Sequence, residues 1–172
     1  GAAGMIDDDV CSALVRWLHG VTGLTTIKAY QEGPRPELPY IMVNLTGTSE
    51  IRDWSQAVEY EQAEPDPGED VGEVTARPPI ETEWRFSVHA FGPDPTSILR
   101  PVRSAAQLAQ KNEALFPALV IHDCSQVRNV PELVNEKWEP RAQMDMFLRG
   151  LTRDGFVIDV IEEAPFDINR TH

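Results

Sequence analysis

The segment WEPRAQMDMFLRGL, residues 138–151, alternates between apolar side chains at even positions and mostly polar side chains at odd positions. Successive side chains of a strand point to opposite faces of a sheet, so this pattern predicts one long strand with a buried face and a polar face. The predicted inward residues are Ala142, Met144, Met146 and Leu148, and the opposite residues are Arg141, Gln143, Asp145, Phe147 and Arg149.

Similar alternation at ETEWRFSVHAF, residues 81–91, predicts a second long strand. Three prolines, at positions 34, 36 and 39, disfavour helix in GPRPELPY and lead into a predicted strand over Tyr40–Thr46. Shorter extended segments are predicted at Thr26–Tyr30, at Leu119–Val130 and, after an Asp154–Gly155 turn, at Phe156–Ile161. We expect Leu119–Val130 to pair with Trp138–Arg149 across the turn-like PELVNEK.

Two helices are predicted from apolar residues at three- and four-residue spacing. The first covers Ile6–His19, with Asp7, Asp8 and Asp9 as N-cap and acidic first turn and Gly20 as the stop. The second follows FGPDPTS, and its regular part is expected to start near Pro101. Its expected inward residues are Ile98, Val102, Ala105 and Ala109, and its expected solvent-facing residues are Arg100, Arg103 and Lys111. The fold class is therefore α+β, a mainly antiparallel sheet with two helices on one face.

Length and charge restrict the function. The 172 residues are enough for one domain, 1–172, but short for two. The formal charge of -13 argues against general binding of nucleic acid or anionic membranes, which requires clustered Lys and Arg. The two cysteines, Cys11 and Cys124, lack CxxC spacing, so we interpret them as small core residues of a protein in a reducing compartment. No apolar run approaches the length of a membrane span.

Most of the negative charge lies in residues 50–84, which hold eleven acids and two bases, 2 - 11 = -9. The centre of this segment, EPDPGEDVGE, is rich in Pro and Gly and poor in apolar residues, so 50–80 is predicted to project as a loop or hairpin arm. A solvated loop is the simplest interpretation; an electrostatic role in an assembly and a cation site are the alternatives. Its acids lack the ligand spacing of a calcium loop.

Few residues suggest chemistry. His122, Asp123 and Cys124 are adjacent on a predicted strand and therefore point to alternating faces, which disfavours a shared metal. His89 lies on a predicted strand and could act as a general base if a serine or cysteine reached it, although a structural histidine is the simpler interpretation. The sequence contains no GxGxxG, GxxxxGK[ST], GxSxG or HExxH motif. We therefore expect no catalytic, cofactor-binding or metal-binding residues.

The order of these segments resembles that of the tail terminator or neck terminator proteins of tailed bacteriophages and gene-transfer particles. The resemblance rests on four features in succession: an N-terminal amphipathic helix, PRPELPY opening a strand, EWRFSVHAFGPDP before a helix, and VPELVNEKWEPRAQMDMFLRG. It covers most of residues 6–162. The acidic segment and the tail, 163–172, depart from the family pattern.

The resemblance implies a virion protein, assembled in the host cytoplasm, that forms a ring, usually of six copies, on the last ring of the tail tube. Its implied partners are other copies of itself, the tail tube protein and a head-side connector or stopper, with DNA passing through the channel without specific binding. The family has no catalytic residues to transfer. It also implies that Pro39 and Tyr40, then Trp84 and Arg85, then Trp138, Arg141 and Asp145 are framework positions of three core strands.

Alternatives are a head–tail adaptor or stopper, or a small enzyme that uses His89 or His122. Residues 97–153 hold eight bases and six acids, 8 - 6 = +2. We therefore hypothesise that Arg100, Arg103 or Arg149 contacts the acidic segment of a neighbouring copy, including Glu59, Glu61, Asp66, Glu69 and Asp70. If that segment instead faced the channel, it would repel DNA phosphates; an outer location is the alternative.

Overall fold

The computed structural model describes residues 2–51, 78–112 and 119–158. In chain order the elements are α1 (Ala2–Thr22), β1 (Thr25–Lys28), β2 (Tyr40–Ile51), β3 (Ile80–Phe91), α2 (Pro95–Asn112), β4 (Val120–Cys124), β5 (Arg128–Asn129), β6 (Glu132–Val134), β7 (Lys137–Glu139), β8 (Arg141–Arg153) and β9 (Phe156–Val157). The fold class is α+β, as the sequence predicts.

Strand β8 organises the sheet. The strand order is β1-β2-β3-β8-β4, and β5 and β9 also pair with β8. All pairs are antiparallel except β1 with β2, which is parallel. β3 pairs with β8 without a register shift from Ile80 opposite Thr152 to Phe91 opposite Arg141. Both predicted long strands are therefore confirmed, and they are neighbours.

The alternation in β8 is also confirmed, because Ala142, Met144, Met146 and Leu148 are fully buried and their odd-numbered neighbours are partly exposed. The inward face of the sheet packs against both helices. Leu14 and Leu18 of α1 and Leu99 and Val102 of α2 belong to the same buried cluster as these β8 residues. Each such aliphatic side chain contributes about 1.5–3 kcal/mol when it leaves water, so this one face carries the main hydrophobic stabilisation.

Helix α1 is longer than the sequence predicts at both ends. It continues through Gly20 and ends where Gly23 adopts a left-handed φ of 73° and donates its N–H to the carbonyl of His19 at 2.7 Å. Gly20 is therefore not the stop. Because the helix begins at Ala2, Asp7, Asp8 and Asp9 lie in later turns, and the prediction of an N-cap there is wrong.

Helix α2 begins at Pro95, and Pro101 lies inside it, so the prediction of a start near Pro101 is wrong. Proline is well placed in the first turn, and Pro101 is exposed, where water can reach the carbonyl that loses its helical donor. The buried face consists of Leu99, Val102 and Ala106. Val102 is buried as expected, whereas Ile98 and Ala105, also expected inside, are only partly buried, and their neighbours Leu99 and Ala106 take the inward positions.

The segment PELVNEK is a hairpin of its own, not a simple turn. β6 pairs antiparallel with β7 through a two-residue turn in which Asn135 and Glu136 have φ of 52° and 68°. Trp138 belongs to this hairpin and is 68% exposed, so its predicted place in a core strand is wrong. The predicted strand 119–130 is divided into β4 and β5, both paired with β8.

Candidate assembly surfaces

The sheet face opposite the helices, here called the open face, carries a polar network across β3, β5 and β8. Arg128 Nη1 donates to Gln143 Oε1 at 2.6 Å, which fixes the orientation of the amide because arginine cannot accept. Gln143 Nε2 then donates to Ser87 Oγ at 2.9 Å and to Asp145 Oδ1 at 2.8 Å. The Asp145 carboxylate also lies 3.5 Å from Arg128 Nη1. These side chains therefore hold one another in place.

His89 ends this network. Its Nε2 lies 3.0 Å from Ser87 Oγ, and either atom can donate, because a serine hydroxyl that accepts from Gln143 keeps its own proton and a second lone pair. Nδ1 is buried and has no hydrogen-bond partner within the described part of the chain. Burial lowers the pKa of His89, and the charge of nearby Arg141 lowers it further, so the ring is held in its neutral form.

This geometry bears on the enzyme interpretation. A serine does lie beside His89, as that interpretation requires. However, an imidazole that acts as a general base for serine is usually oriented by a carboxylate on its other nitrogen, and His89 Nδ1 has none among the described residues. The second candidate histidine is His122, which precedes Asp123 and Cys124. Asp123 Oδ1 accepts from the backbone N–H of Cys124 at 2.8 Å. The side chains of His122 and Asp123 are exposed, whereas that of Cys124 is buried. The triplet does not converge.

The two cysteines are buried, which confirms their interpretation as core residues. Burial is also the main cause that raises the pKa of both the Cys11 and the Cys124 thiols. Both are therefore protonated and shielded near neutral pH.

An aromatic corner closes one end of the open face. The rings of Tyr40 and Phe91 stack with centroids 4.9 Å apart, and the Arg35 guanidinium lies 5.8 Å and 5.3 Å from their centroids. Arg35 Nε donates to the Tyr40 hydroxyl at 2.9 Å, while its Nη2 lies 3.5 Å from the carboxylate of Glu139 in β7. Arg35 thus joins the segment before β2 to both the sheet and the hairpin.

The β6–β7 hairpin has its apolar side outward. Glu132 pairs with Arg141 at 3.7 Å and Glu139 with Arg35 at 3.5 Å, so these two carboxylates of the hairpin are bound to the domain. Leu133 and Trp138 are directly opposite each other in the register and are 56% and 68% exposed. Because side chains alternate along a strand, this pair occupies the other side of the hairpin, facing solvent.

The three arginines proposed for an interface have different surroundings. Arg149 Nε donates to Glu83 Oε2 at 3.0 Å, and its Nη1 lies 3.9 Å from Glu81. Arg103 Nε donates to the carbonyl of Ser125 at 3.2 Å and so fixes the loop after β4. Arg100 is exposed on α2. The five proposed acidic partners, Glu59, Glu61, Asp66, Glu69 and Asp70, lie outside the described residues.

Sequence reasoning missed the Leu133–Trp138 surface. The signal is present, since ELV and KWE flank a two-residue Asn-Glu turn, but the prediction treats PELVNEK as turn-like and begins the long strand at Trp138. The family resemblance implies a core-strand position for Trp138, although the hairpin exposes it.

The described residues form a small α+β fold in which ion pairs and hydrogen bonds engage much of the open face. The sequence matches the family model of phage neck terminator proteins over residues 8–171, nearly the whole chain. The chain belongs to this family. It is therefore a structural protein of the phage tail and neck, and the predicted family resemblance is confirmed.

Neither the curated proteins nor the solved structures narrow the function further. Among curated proteins, none matches the sequence. One solved protein structure superposes with a TM-score of 0.40 at 10% sequence identity, covering 83% of this chain and 89% of that one, a likeness too weak to support an argument. Within the described ranges, neither helix is long and apolar enough to cross a membrane.

Proposed function

We propose that this chain is a tail terminator that closes the tail tube as a homo-oligomeric ring, of six copies, and offers the opposite surface of the ring to the head-side connector. The observation that carries the proposal is the family match over residues 8–171, which includes α1 from Asp8 onward, all of α2 and every described strand. In this function the protein needs no cofactor, metal or catalytic residue. Its work is to bind neighbouring proteins.

A ring requires heterologous contacts, so each copy must present two different, complementary surfaces. The division of charge supports one such pair. The segment 50–84 carries -9, whereas residues 97–153 carry +2. Of the three proposed arginines, Arg103 and Arg149 are engaged inside the subunit, whereas Arg100 is exposed on α2. Arg100 is therefore the strongest partner for the acidic residues of a neighbour.

Exchanging the charges of the two surfaces tests the proposed contact of Arg100 with a neighbour's acidic residues better than a change in salt concentration does. Copies that each carry -13 repel one another, and salt screens that repulsion together with any attraction. Arg100→Glu should weaken ring formation, and adding Glu69→Lys and Asp70→Lys in the same chain should restore part of it. Gln107→Glu, an exposed change on the same helix, is the matched control. Equal assembly by Arg100→Glu and the control would exclude this contact.

DNA is proposed to pass through the ring without being held. The formal charge of -13 supports this, since stable binding to phosphates requires clusters of Lys and Arg. Fluorescence anisotropy with labelled duplex DNA should show no binding at physiological salt. Tight, salt-sensitive binding would contradict free passage.

The deciding experiment mixes the purified chain with tail tubes of its own particle and images them by electron microscopy, with native mass spectrometry of the free chain. We expect a ring at one end of each tube. A ring that binds the portal-side connector but not the tube would identify a head–tail adaptor instead. A variant carrying both His89→Gln and His122→Gln should assemble on tubes as the wild type does, and an enzymatic activity that is lost in this variant would favour the enzyme interpretation instead.

A further inference from the structure

We propose that the C-terminal segment of one copy of this chain, residues 159–172, adds as a strand to the edge of β2 in the next copy of the ring, and that Arg85 of the next copy binds a carboxylate of the segment. The edge in question, here called the β2 edge, consists of residues 44–49. This inference rests on the proposed ring and names a second contact within it.

The β2 edge is the uncovered part of a long strand. Within the described residues, β1 is the strand beyond β2, and it pairs with Tyr40–Val43 alone. The Val43 carbonyl accepts from the Ala29 N–H at 2.8 Å, so the backbone groups of Val43 point away from β3. Because this direction alternates along an antiparallel strand, the backbone groups of Leu45 point the same way, past the end of β1. Residues 44–49 therefore present about 20 Å of edge to which an extended segment can hydrogen-bond.

Arg85 lies next to this edge on the open face. The other three arginines that β5 and β8 place on this face, Arg128, Arg141 and Arg149, each pair with a carboxylate of the same copy. Among the described residues, no carboxylate forms an ion pair with Arg85, whose guanidinium lies 5.7 Å from the centroid of the Phe147 ring. Arg85 is also exposed, so an incoming carboxylate can pair with it without displacing another.

Gly47 leaves the path from the edge to Arg85 open. The two residues are opposite each other in the register, so both face the same side of the sheet. A Cβ added to Gly47 would meet no atom within 4 Å. A strand beside β2 lies two strand spacings, about 10 Å, from β3, which a glutamate and Arg85 span together once the arginine turns toward Gly47.

The edge also selects its partner. The register shift between Leu45 and Gly47 makes the edge irregular, which disfavours pairing with an arbitrary strand. A segment that docks there needs a second source of specificity, and the charge of Arg85 supplies it.

The composition of residues 159–172 fits this requirement. The segment, DVIEEAPFDINRTH, holds four acids and one base, 1 - 4 = -3. Val160 and Ile161 are β-branched, which favours extended structure, and Glu162 and Glu163 follow them directly. The segment therefore combines strand-forming residues with carboxylates for Arg85.

The place where the segment starts favours a neighbouring copy as the receptor. Thr152 of β8 pairs with Ile80 of β3 and also with Val157 of β9, so β9 and the segment after it leave the sheet on the side away from β2. Fourteen residues span up to about 46 Å. To meet β2 of its own copy the segment has to cross β8 and β3, whereas it can run directly along the edge of an adjacent copy. Donor and receptor at opposite edges of one sheet are what a head-to-tail contact between identical copies requires.

Cysteine cross-linking tests the contact. Ser49→Cys, an exposed position of the β2 edge, is made in one chain. The second chain carries one cysteine in the segment, at one of four successive positions: Val160→Cys, Ile161→Cys, Glu162→Cys or Glu163→Cys. After mixing with tail tubes and oxidation by copper–phenanthroline in air, we expect a disulfide-linked dimer on a non-reducing gel for at least one position. Leu108→Cys, 67% exposed on α2, replaces Ser49→Cys in the control. The native thiols of Cys11 and Cys124 are buried and should give little background.

Exchanging charges tests the role of Arg85. Arg85→Glu should raise the protein concentration needed for ring formation at least tenfold, and adding Glu162→Lys and Glu163→Lys in the same chain should restore part of it. Lys137→Glu makes the same change of net charge at an exposed position of β7 and is the matched control. Circular dichroism checks that each variant is folded. Equal assembly by Arg85→Glu and Lys137→Glu would exclude the proposed ion pair.

The remaining outcomes separate this contact from the terminator function. Normal rings on tubes without the cross-link would overturn the inference while leaving the proposed function intact. A chain with both cysteines that forms only an internal disulfide would also overturn it, because the segment would then cover the edge of its own copy. A chain that forms no ring on tubes, yet gives the cross-link between copies, would support the contact and refute the terminator function.

Discussion

Replacing Asp7 by alanine should destabilise the domain, because this half-buried carboxylate of α1 bonds to a side chain of the core. The indole Nε1 of Trp84 donates to Asp7 Oδ1 at 3.0 Å, and Trp84 is only 1% exposed. Removing the carboxylate leaves a buried N–H without its acceptor. The next residue, Asp8, provides a matched control because its side chain is 67% exposed and its contact is an ion pair with Lys28 at 2.7 Å.

The magnitude follows from these contacts. A buried donor that loses its partner costs about 1–3 kcal/mol, and alanine recovers about 0.5 kcal/mol through its higher helix propensity. We therefore expect Asp7→Ala to lose about 0.5–2.5 kcal/mol, which lowers the melting temperature of a domain of this size by roughly 1–10 °C. In Asp8→Ala the same propensity gain offsets an exposed ion pair worth about 0–1 kcal/mol, so its net change should be close to zero.

Urea and thermal unfolding of the two variants, followed by circular dichroism, measure this difference. Asp7→Asn retains an acceptor oxygen and should recover most of the loss. If Asp7→Ala and Asp8→Ala both unfold within about 0.5 kcal/mol of wild type, the range expected of surface substitutions, the indole does not depend on Asp7 and the reasoning is wrong.

Three further outcomes are expected. Gly92→Ala should cost at least about 2 kcal/mol in chemical unfolding, because Gly92 has a φ of 135° and an added Cβ would lie 2.8 Å from the Pro39 Cβ, whereas Gly47→Ala meets nothing within 4 Å and should cost less. Pro101→Ala should stabilise the domain by about 1–3 kcal/mol, since it restores a helical donor at an exposed position; no gain in melting temperature would contradict this. Burial holds the pKa of His89 below its ordinary value of 6.5, so the unfolded chain takes up a proton first and the free energy of unfolding should fall as the pH decreases below that value. His89→Gln should flatten this decline between pH 6.5 and 5, and an unchanged slope would exclude His89 as its source.

The central architecture could be predicted from sequence because burial on one face imposes a period of two on long strands. The alternation of Met144 and Met146 with Gln143 and Asp145 fixes both the strand and its orientation, and the structure agrees. Helix α1 was found for the same reason, with a period of 3.6. Long periodic segments contain enough repeats to define a face.

Shorter or locally ambiguous sequence patterns gave wrong predictions. In α2, adjacent Ile98 and Leu99 both fit an inward stripe, and only packing against the sheet selects Leu99. Asp7 resembles a helix cap, yet its role depends on Trp84, seventy-seven residues later. The exposed Leu133–Trp138 surface was harder still to predict from sequence. A three-residue strand such as β7 is too short to show a periodic pattern of apolar residues, and Trp138 is apolar whether or not a partner covers it.

Arg35 gives the hairpin a mechanical connection to the rest of the molecule. The same guanidinium that pairs with Glu139 also covers the stacked rings of Tyr40 and Phe91, and Arg141, which pairs with Glu132, is the first residue of β8. A pull on the tip of the hairpin is consequently shared between the starts of β2 and β8 and the end of β3. A load on the hairpin would therefore spread into the long paired strands of the sheet instead of peeling away a two-stranded ribbon.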